Sequence, residues 1–193
     1  LIYNPQNIRL GSPTATLDNR RFSRTSKGIQ LHICLDHQQH SLANDNIIQY
    51  PIADGDHQLY AFLVSSHFES IKAPAAVLAK AITIRDGQLA RSATLEAPTV
   101  LYNAPFGTHK LNTTDSVLVD FVVVNTTLAP DGNRVQLQLD DHDPWVVDRW
   151  QACSLTGLLP GQHRLRLTLL NRLGQPIAEA VEGSFEVVAA AAD

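Results

Sequence analysis

Two short stretches decide the fold: Asp54-Gly-Asp-His-Gln-Leu59 and Pro160-Gly-Gln-His-Arg-Leu165. In each, a turn glycine stands two places ahead of a histidine, and an alternating strand then runs on to Val64 or to Leu170. Working outward, the same order of segments appears on either side of both. Leu1-Ile-Tyr-Asn-Pro5 is echoed by Val100-Leu-Tyr-Asn-Ala-Pro105, and Ile29-Gln-Leu-His-Ile-Cys-Leu-Asp36 by Arg134-Val-Gln-Leu-Gln-Leu-Asp140. Ala79-Lys-Ala-Ile-Thr-Ile84 corresponds in turn to Gly183-Ser-Phe-Glu-Val-Val188. Four ordered matches at offsets of about 99 to 106 residues are the mark of an internal repeat.

Within each half the strands are short, alternate with a period of two, and are separated by Gly, Pro, Asn and Asp turns, which predicts an antiparallel sandwich. The expected fold is all-β: two tandem immunoglobulin-like antiparallel β-sandwich domains related by internal duplication, over residues 1–95 and 96–193, the second ending in a short tail. The boundary is placed near Ala90 to Pro98, where Arg91-Ser-Ala-Thr-Leu-Glu-Ala-Pro98 reads as a polar linker. Ala73 to Ala81 is Ala-rich, but Pro74 and the β-branched run behind it make extended structure as good a reading as a helical turn.

Composition narrows the function. Hydrophobic residues at 44% and charged residues at 18% describe a globular protein able to bury a core. A net charge of −4 without a basic face argues against nucleic acid as partner. No apolar run approaches the length of a membrane span, since Val117 to Val124 is short and contains Asp120. The chain has no Met, and a segment such as a cleaved signal or a lipid-anchored linker is expected ahead of Leu1. Cys34 and Cys153 fall at non-equivalent repeat positions, so no disulfide is expected.

Strand faces differ between the halves. Leu165, Leu167 and Leu169 alternate with Arg164, Arg166 and Thr168, one dry face and one wet. Leu59, Ala61 and Leu63 alternate instead with Tyr60, Phe62 and Val64, so both faces are apolar. Burying Tyr60 and Phe62 contributes about 2–3 kcal/mol each, so something should cover them: another part of the chain, or a partner protein.

The chemical motifs each have a plain structural reading. His32 and Cys34 share a strand face near Asp36-His37-Gln-Gln-His40, but strand-and-loop spacing does not converge these side chains on a metal. Ser65-Ser-His67-Phe-Glu69-Ser70 holds a hydroxyl, an imidazole and a carboxylate in sequence, whereas nucleophile triads are assembled from distant segments. The equivalent Asn171-Arg-Leu-Gly174 is an ordinary hairpin turn, which marks the first-half loop as the specialised one. His57 and His163, at one repeat position, read as structural rings bonded to backbone. Trp145 and Trp150 suit a core, or alternatively a sugar-stacking platform. Asp140-Asp-His-Asp143 lacks the regular alternation of a calcium loop, and the sequons at Asn112 and Asn125 match too easily to carry weight.

Asp54-Gly-x-His57, Leu59-Tyr-Ala-Phe62 and Ser66-His-Phe-Glu69-Ser70-x-Lys72, followed by Asp120-Phe, Asn125 and Leu155-Thr-Gly-Leu-x-Pro-Gly-x-His163, resemble a group of bacterial two-domain immunoglobulin-like β-sandwich proteins. The resemblance covers nearly the whole chain and implies the fold and a bacterial origin. It carries over no reaction, ligand or catalytic residue.

The reading that results is a non-enzymatic protein-interaction or scaffolding module. It is expected to be an accessory subunit that docks on a larger assembly, peripherally on a membrane, at a periplasmic or extracytoplasmic surface. The partner is another protein or protein complex, bound through Tyr60, Phe62, Val64, His67, Phe68, Glu69 and Lys72. No cofactor, metal or catalytic residue is expected. The alternative is a carbohydrate or envelope-polymer binding module using Trp145 and Trp150.

Overall fold

The computed structural model describes residues 8–14, 26–43, 51–111 and 115–190, and the chain divides into two compact units between Ala97 and Pro98. The expectations placed on Leu1–Pro5, His40 and Asn112 lie outside the described residues or side chains.

The described part of the first unit is a five-stranded antiparallel sheet in the order β2-β1-β3-β4-β5. Its strands are β1 (Gln30–Leu35), β2 (Gln38–Ala43), β3 (Gly55–Val64), β4 (Val77–Arg85) and β5 (Gln88–Thr94). A single 3-10 turn at Pro74–Ala76 leads into β4, so the Ala-rich stretch is extended almost throughout. The segment read as a linker is a strand: β5 takes up 88–94 and pairs antiparallel with β4. Its polar composition is that of an edge strand exposed along its length, which composition alone does not separate from a linker.

One face of this sheet carries the core Leu31, Ile33, Leu35, Leu59, Ala61, Leu63, Ile82 and Ile84. The opposite face of β1 and β3 is buried too, with Gln30, His32, Cys34, Tyr60, Phe62 and Val64 all at 3% exposure or less. Burial pushes the Cys34 thiol up to about 12, with Asp36 adding to the shift.

The second unit is a complete sandwich. Strands β6 (Thr99–Ala104), β8 (Ser116–Val124) and β11 (Cys153–Thr156) form a three-stranded sheet ordered β11-β8-β6. Strands β7 (Gly107–Leu111), β9 (Arg134–Leu139), β10 (Trp145–Val147), β12 (Gly161–Leu170) and β13 (Val181–Ala189) form the second, ordered β10-β9-β12-β13-β7. The chain changes sheets at the cis Ala104–Pro105 bond: β6 pairs antiparallel with β8, and β7 continues parallel to β13. Two sheets, antiparallel but for the β7–β13 pair and joined by a first segment that serves both, form an immunoglobulin-like sandwich.

Between these sheets lie Val119, Phe121, Val135, Leu137, Leu165, Leu167, Leu169 and Phe185, each 2% exposed or less. Each such side chain contributes about 1.5–3 kcal/mol on burial. The alternation of β12 is as the sequence predicts, with its leucines in the core and Arg164 and Arg166 exposed. Gly183 of β13 is required for a packing reason. A Cβ there would run into the ring of Tyr102, whose hydroxyl donates to the Pro105 carbonyl at 2.6 Å.

Candidate functional site

Local structure repeats between the units with the same hydrogen bonds. Asp36 and Asp140 close β1 and β9 in left-handed backbone, at φ of 50° and 49°, a conformation Asp tolerates better than most residues. Each carboxylate then reaches the start of the next strand. Asp36 accepts from the Gln58 amide at 2.8 Å and contacts His57 Nδ1 at 2.7 Å. Asp140 accepts from the Arg164 amide at 2.7 Å and contacts His163 Nδ1 at 2.8 Å. The other ring nitrogens meet carbonyls, His57 Nε2 with Ala53 O at 2.9 Å and His163 Nε2 with Leu159 O at 2.8 Å.

A carboxylate and a carbonyl are both acceptors, and a neutral imidazole can donate to only one of them. Both bonds therefore stand together only for the imidazolium. The hydrogen bond to Asp36 and then the Ala53 carbonyl hold the His57 pKa above the ordinary histidine value. For His163 burial works downward but is outweighed by Asp140 and Leu159, so that value is raised as well. Both aspartates are shifted the other way. Burial acts against their charge, but the histidine and amide hydrogen bonds outweigh it and lower their pKa values. The two histidines are thus structural clasps, as their shared repeat position predicts.

The turn following β3 is built like the turn following β12. Ser65 N donates to Glu69 O at 2.8 Å and Asn171 N to Gln175 O at 2.9 Å. Ser65 Oγ accepts from the amides of His67 and Glu69, and Asn171 Oδ1 accepts from those of Leu173 and Gln175. Phe68 at φ 63° stands where Gly174 stands at φ 78°. The backbone of Ser65–Ser70 is therefore an ordinary turn, and its difference from the second unit lies in the side chains. Ser65 spends its hydroxyl on turn amides and is not aligned on the His67 ring.

The structure divides the partner-binding residues read from sequence. Tyr60, Phe62 and Val64, at 3%, 1% and 1% exposure, offer no side-chain surface to a partner, so the apolar outer face of β3 is covered by the chain itself. The Tyr60 hydroxyl donates to Gln58 Oε1 at 2.7 Å, and burial pushes its pKa up to about 12, with Cys34 and Asp36 adding to the shift. The His32 ring lies 4.7 Å from that of Phe62. His67, Phe68, Glu69 and Lys72 are half-buried in and after the turn, with Lys72 Nζ donating to Ser70 Oγ at 2.6 Å.

Trp145 and Trp150 pack against the second core, and Trp150 Nε1 donates to the Phe121 carbonyl at 2.9 Å. Both rings remain partly exposed while packed in this way. Among the described residues no three His, Cys, Asp or Glu side chains are grouped to hold a metal ion. Neither Cys34 nor Cys153 is in a disulfide.

One surface was missed in the sequence. Over the apolar face of the first sheet lies a groove of about 330 Å³, lined by Ile33, Leu35, Ile52, Leu59, Leu78, Ile82, Ile84 and Leu89, with Lys80 and Ser92 as its polar members. Leu89 on the edge strand is 61% exposed. The available signal was Lys80, a lone cation among Leu78, Ile82 and Ile84 on one face of β4. The strand-pairing register explains why it was overlooked. His57 pairs with Ile82 and His163 with Phe185, so Lys80 corresponds to Gly183. The sequence match set Ala79 against Gly183, one residue away, and a one-residue slip exchanges the faces of a strand.

No known protein family matches the chain, and no curated protein does. Among solved structures, fibronectin(III)-like modules of CbhA from Clostridium thermocellum align over 90% of this chain and 83% of theirs, at 13% identity and a TM-score of 0.38. A putative membrane-anchored protein from Corynebacterium diphtheriae aligns over 92% of this chain at 14% identity and a TM-score of 0.35, and this chain spans 47% of its length.

Proposed function

We propose that this chain is a non-enzymatic protein-interaction module, an accessory subunit that docks on a larger assembly at an extracytoplasmic membrane surface. The observation that carries the reading is the groove on the first unit. Exposed Leu89 and half-buried Ile52 and Leu78 line it above the buried Ile33, Leu35, Leu59, Ile82 and Ile84, with Lys80 and Ser92 as its polar members, a composition suited to taking up an apolar side chain of a partner. Other features support it. His57 and His163 are held in clasps, and the Ser65 hydroxyl accepts from the amides of its own turn. Among the described residues no helix is long and apolar enough to cross a membrane. We also propose that the shared clasps and turns descend from one ancestral unit.

The test is affinity isolation from native membranes and from soluble extract with three proteins: the intact chain, a Leu89→Asp variant, and a turn variant carrying His67→Ala, Phe68→Gly and Glu69→Ala. Circular dichroism establishes first that all three are folded. A stoichiometric partner that is lost with Leu89→Asp supports docking through the groove. Loss with the turn variant alone moves the docking surface to Ser65–Lys72. A chain that brings down no specific partner from either fraction is not this kind of module.

A further inference from the structure

The two clasps hold different things. In the first unit His57 Nε2 meets the carbonyl of Ala53, and the next residue, Asp54, is anchored on its own account. Its carboxylate accepts from the amides of Asp86 and Gly87 at 2.8 and 3.0 Å, in the turn between β4 and β5. The Gly87 amide and then that of Asp86 lower the Asp54 pKa, so this anchor stays charged through the neutral range. On the other side of Ala53 is Ile52, which packs against the core of the first sheet and lines the groove. Residues 52–54 therefore form a short strap, held at Asp54 by the turn and at Ala53 by the histidine, with Ile52 laid on the apolar face. In the second unit Pro160 stands in place of Asp54 and brings no carboxylate, and the His163 ring is stacked on Phe185 at 5.3 Å.

What happens to the strap depends on which proton His57 gives up. As imidazolium the ring donates to both Asp36 and Ala53. When one proton leaves, the one that remains belongs on Nδ1, because a carboxylate in direct contact is a stronger acceptor than a carbonyl and would repel an Nδ1 lone pair more strongly. Nε2 then turns a lone pair on the Ala53 carbonyl, and attraction becomes repulsion. The charges around the ring agree with this choice. Asp36 at the end of β1 and Asp56 on β3 act on His57, and His37 acts on Asp36. Asp54 on the strap, and Arg85 and Asp86 where β4 turns into β5, lie at the same end of the sheet, while β4 sets the uncharged Ile82 opposite His57.

We propose that His57 is a pH-operated latch on this strap: protonated, it holds the Ala53 carbonyl and keeps Ile52 on the groove; neutral, it keeps Asp36, lets Ala53 go, and allows Ile52 to swing away about Asp54. Removing Ile52 takes away one wall of the groove, so access to the apolar face rises with pH. The latch belongs to the first unit alone and operates whether or not a partner uses the groove.

The test is a pH titration of the full chain by nuclear magnetic resonance, with isotope-labelled histidine rings, isoleucine methyl groups and backbone amides. His57 is expected to titrate above the ordinary value of 6.5, losing the proton on Nε2 and retaining that on Nδ1. The Ile52 methyl signals should move with the same midpoint, while the Asp86 and Gly87 amides keep their protection from hydrogen exchange. Asp36→Asn removes the charge that favours the imidazolium and should bring both midpoints down together, toward 6.5. If that variant does not fold, the titration of the intact chain decides alone. Ile52 signals indifferent to the His57 midpoint, or following that of His163, overturn the inference. So does loss of the Nδ1 proton in place of the Nε2 proton. Protection lost at Asp86 and Gly87 with the same midpoint also overturns it, since the turn and not the strap would then be what opens.

Discussion

The second unit closes the apolar face of its larger sheet with a second sheet, and Tyr102 of that sheet lies so close over β13 that only glycine fits at position 183. At the corresponding place on β4 the first unit carries Lys80, and a groove opens among the same kind of aliphatic side chains. The clasps and turns are the same in both, but the edge strand differs in connection: β5 follows β4 and pairs antiparallel with it, whereas β7 comes before the rest of its sheet and pairs parallel with β13. Packing fixes residue identity at Gly183, whereas position 80 admits a long charged side chain. That freedom is what an interaction surface needs.

The contrast is sharpest at the pair of residues opposite the clasp histidines. Phe185→Ala should lower the stability of the second unit by about 3–5 kcal/mol, because a closed core cannot collapse around the missing ring. Ile82→Ala lines an open groove and should lower that of the first unit by about 2 kcal/mol, near the low end for such truncations. Urea denaturation separates the two, since both tryptophans lie in the second unit and their fluorescence reports it, while circular dichroism follows both. Equal losses would mean that the groove is packed as tightly as the sandwich.

A smaller effect is expected at the glycine itself. Gly183→Ala forces the Tyr102 ring aside and should destabilise by about 1–3 kcal/mol, with much of that recovered in a Tyr102→Ala background. Lys80→Ala should shift stability by no more than about 0.5 kcal/mol. Thermal denaturation of the four proteins checks the pair. Smaller again, Gly174→Ala should cost about 1 kcal/mol for its left-handed backbone, the strain that Phe68 already carries in the first unit.

The smallest effect concerns what the units share. The raised values of His57 and His163 give stability that is complete below the ordinary histidine pKa of 6.5 and lost as pH rises through the folded values. The lowered values of Asp36 and Asp140 give stability complete above the ordinary 3.8 and lost as pH falls through their folded values. Stability should therefore be greatest in the mildly acidic range between them. Asp56 adds to the rise at His57, and His37 and His142 add to the fall at Asp36 and Asp140. An Asp36→Asn, Asp140→Asn double variant should flatten the pH profile of the melting temperature. A profile unchanged by both substitutions would show that the clasps do not set it. Solvent screening keeps these contributions modest.

How much of this the sequence disclosed depends on the kind of signal. Period-two alternation and the repeated Gly-x-His gave the strands and the fold class, because both are local and written in residue type. Tyr60 and Phe62 were legible as residues needing cover, but sequence does not say which atoms supply it. The structure supplies them from the chain, so burial there is not a docking face. The groove was illegible for two reasons. Strand β5 is polar because it is an exposed edge, which in composition resembles a linker. And Lys80 was set against the wrong partner by a single-residue slip, which no property of the two segments forbids.

The clasps have a consequence for observation. A histidine ring proton held in a hydrogen bond to a carboxylate resonates well away from the amide envelope. Each half of the chain contains one, tied to the strand start of its own larger sheet. The pair forms a set of internal beacons in a proton spectrum, so that the melting, ligand response or truncation of either half can be followed separately, without a label, in the intact protein.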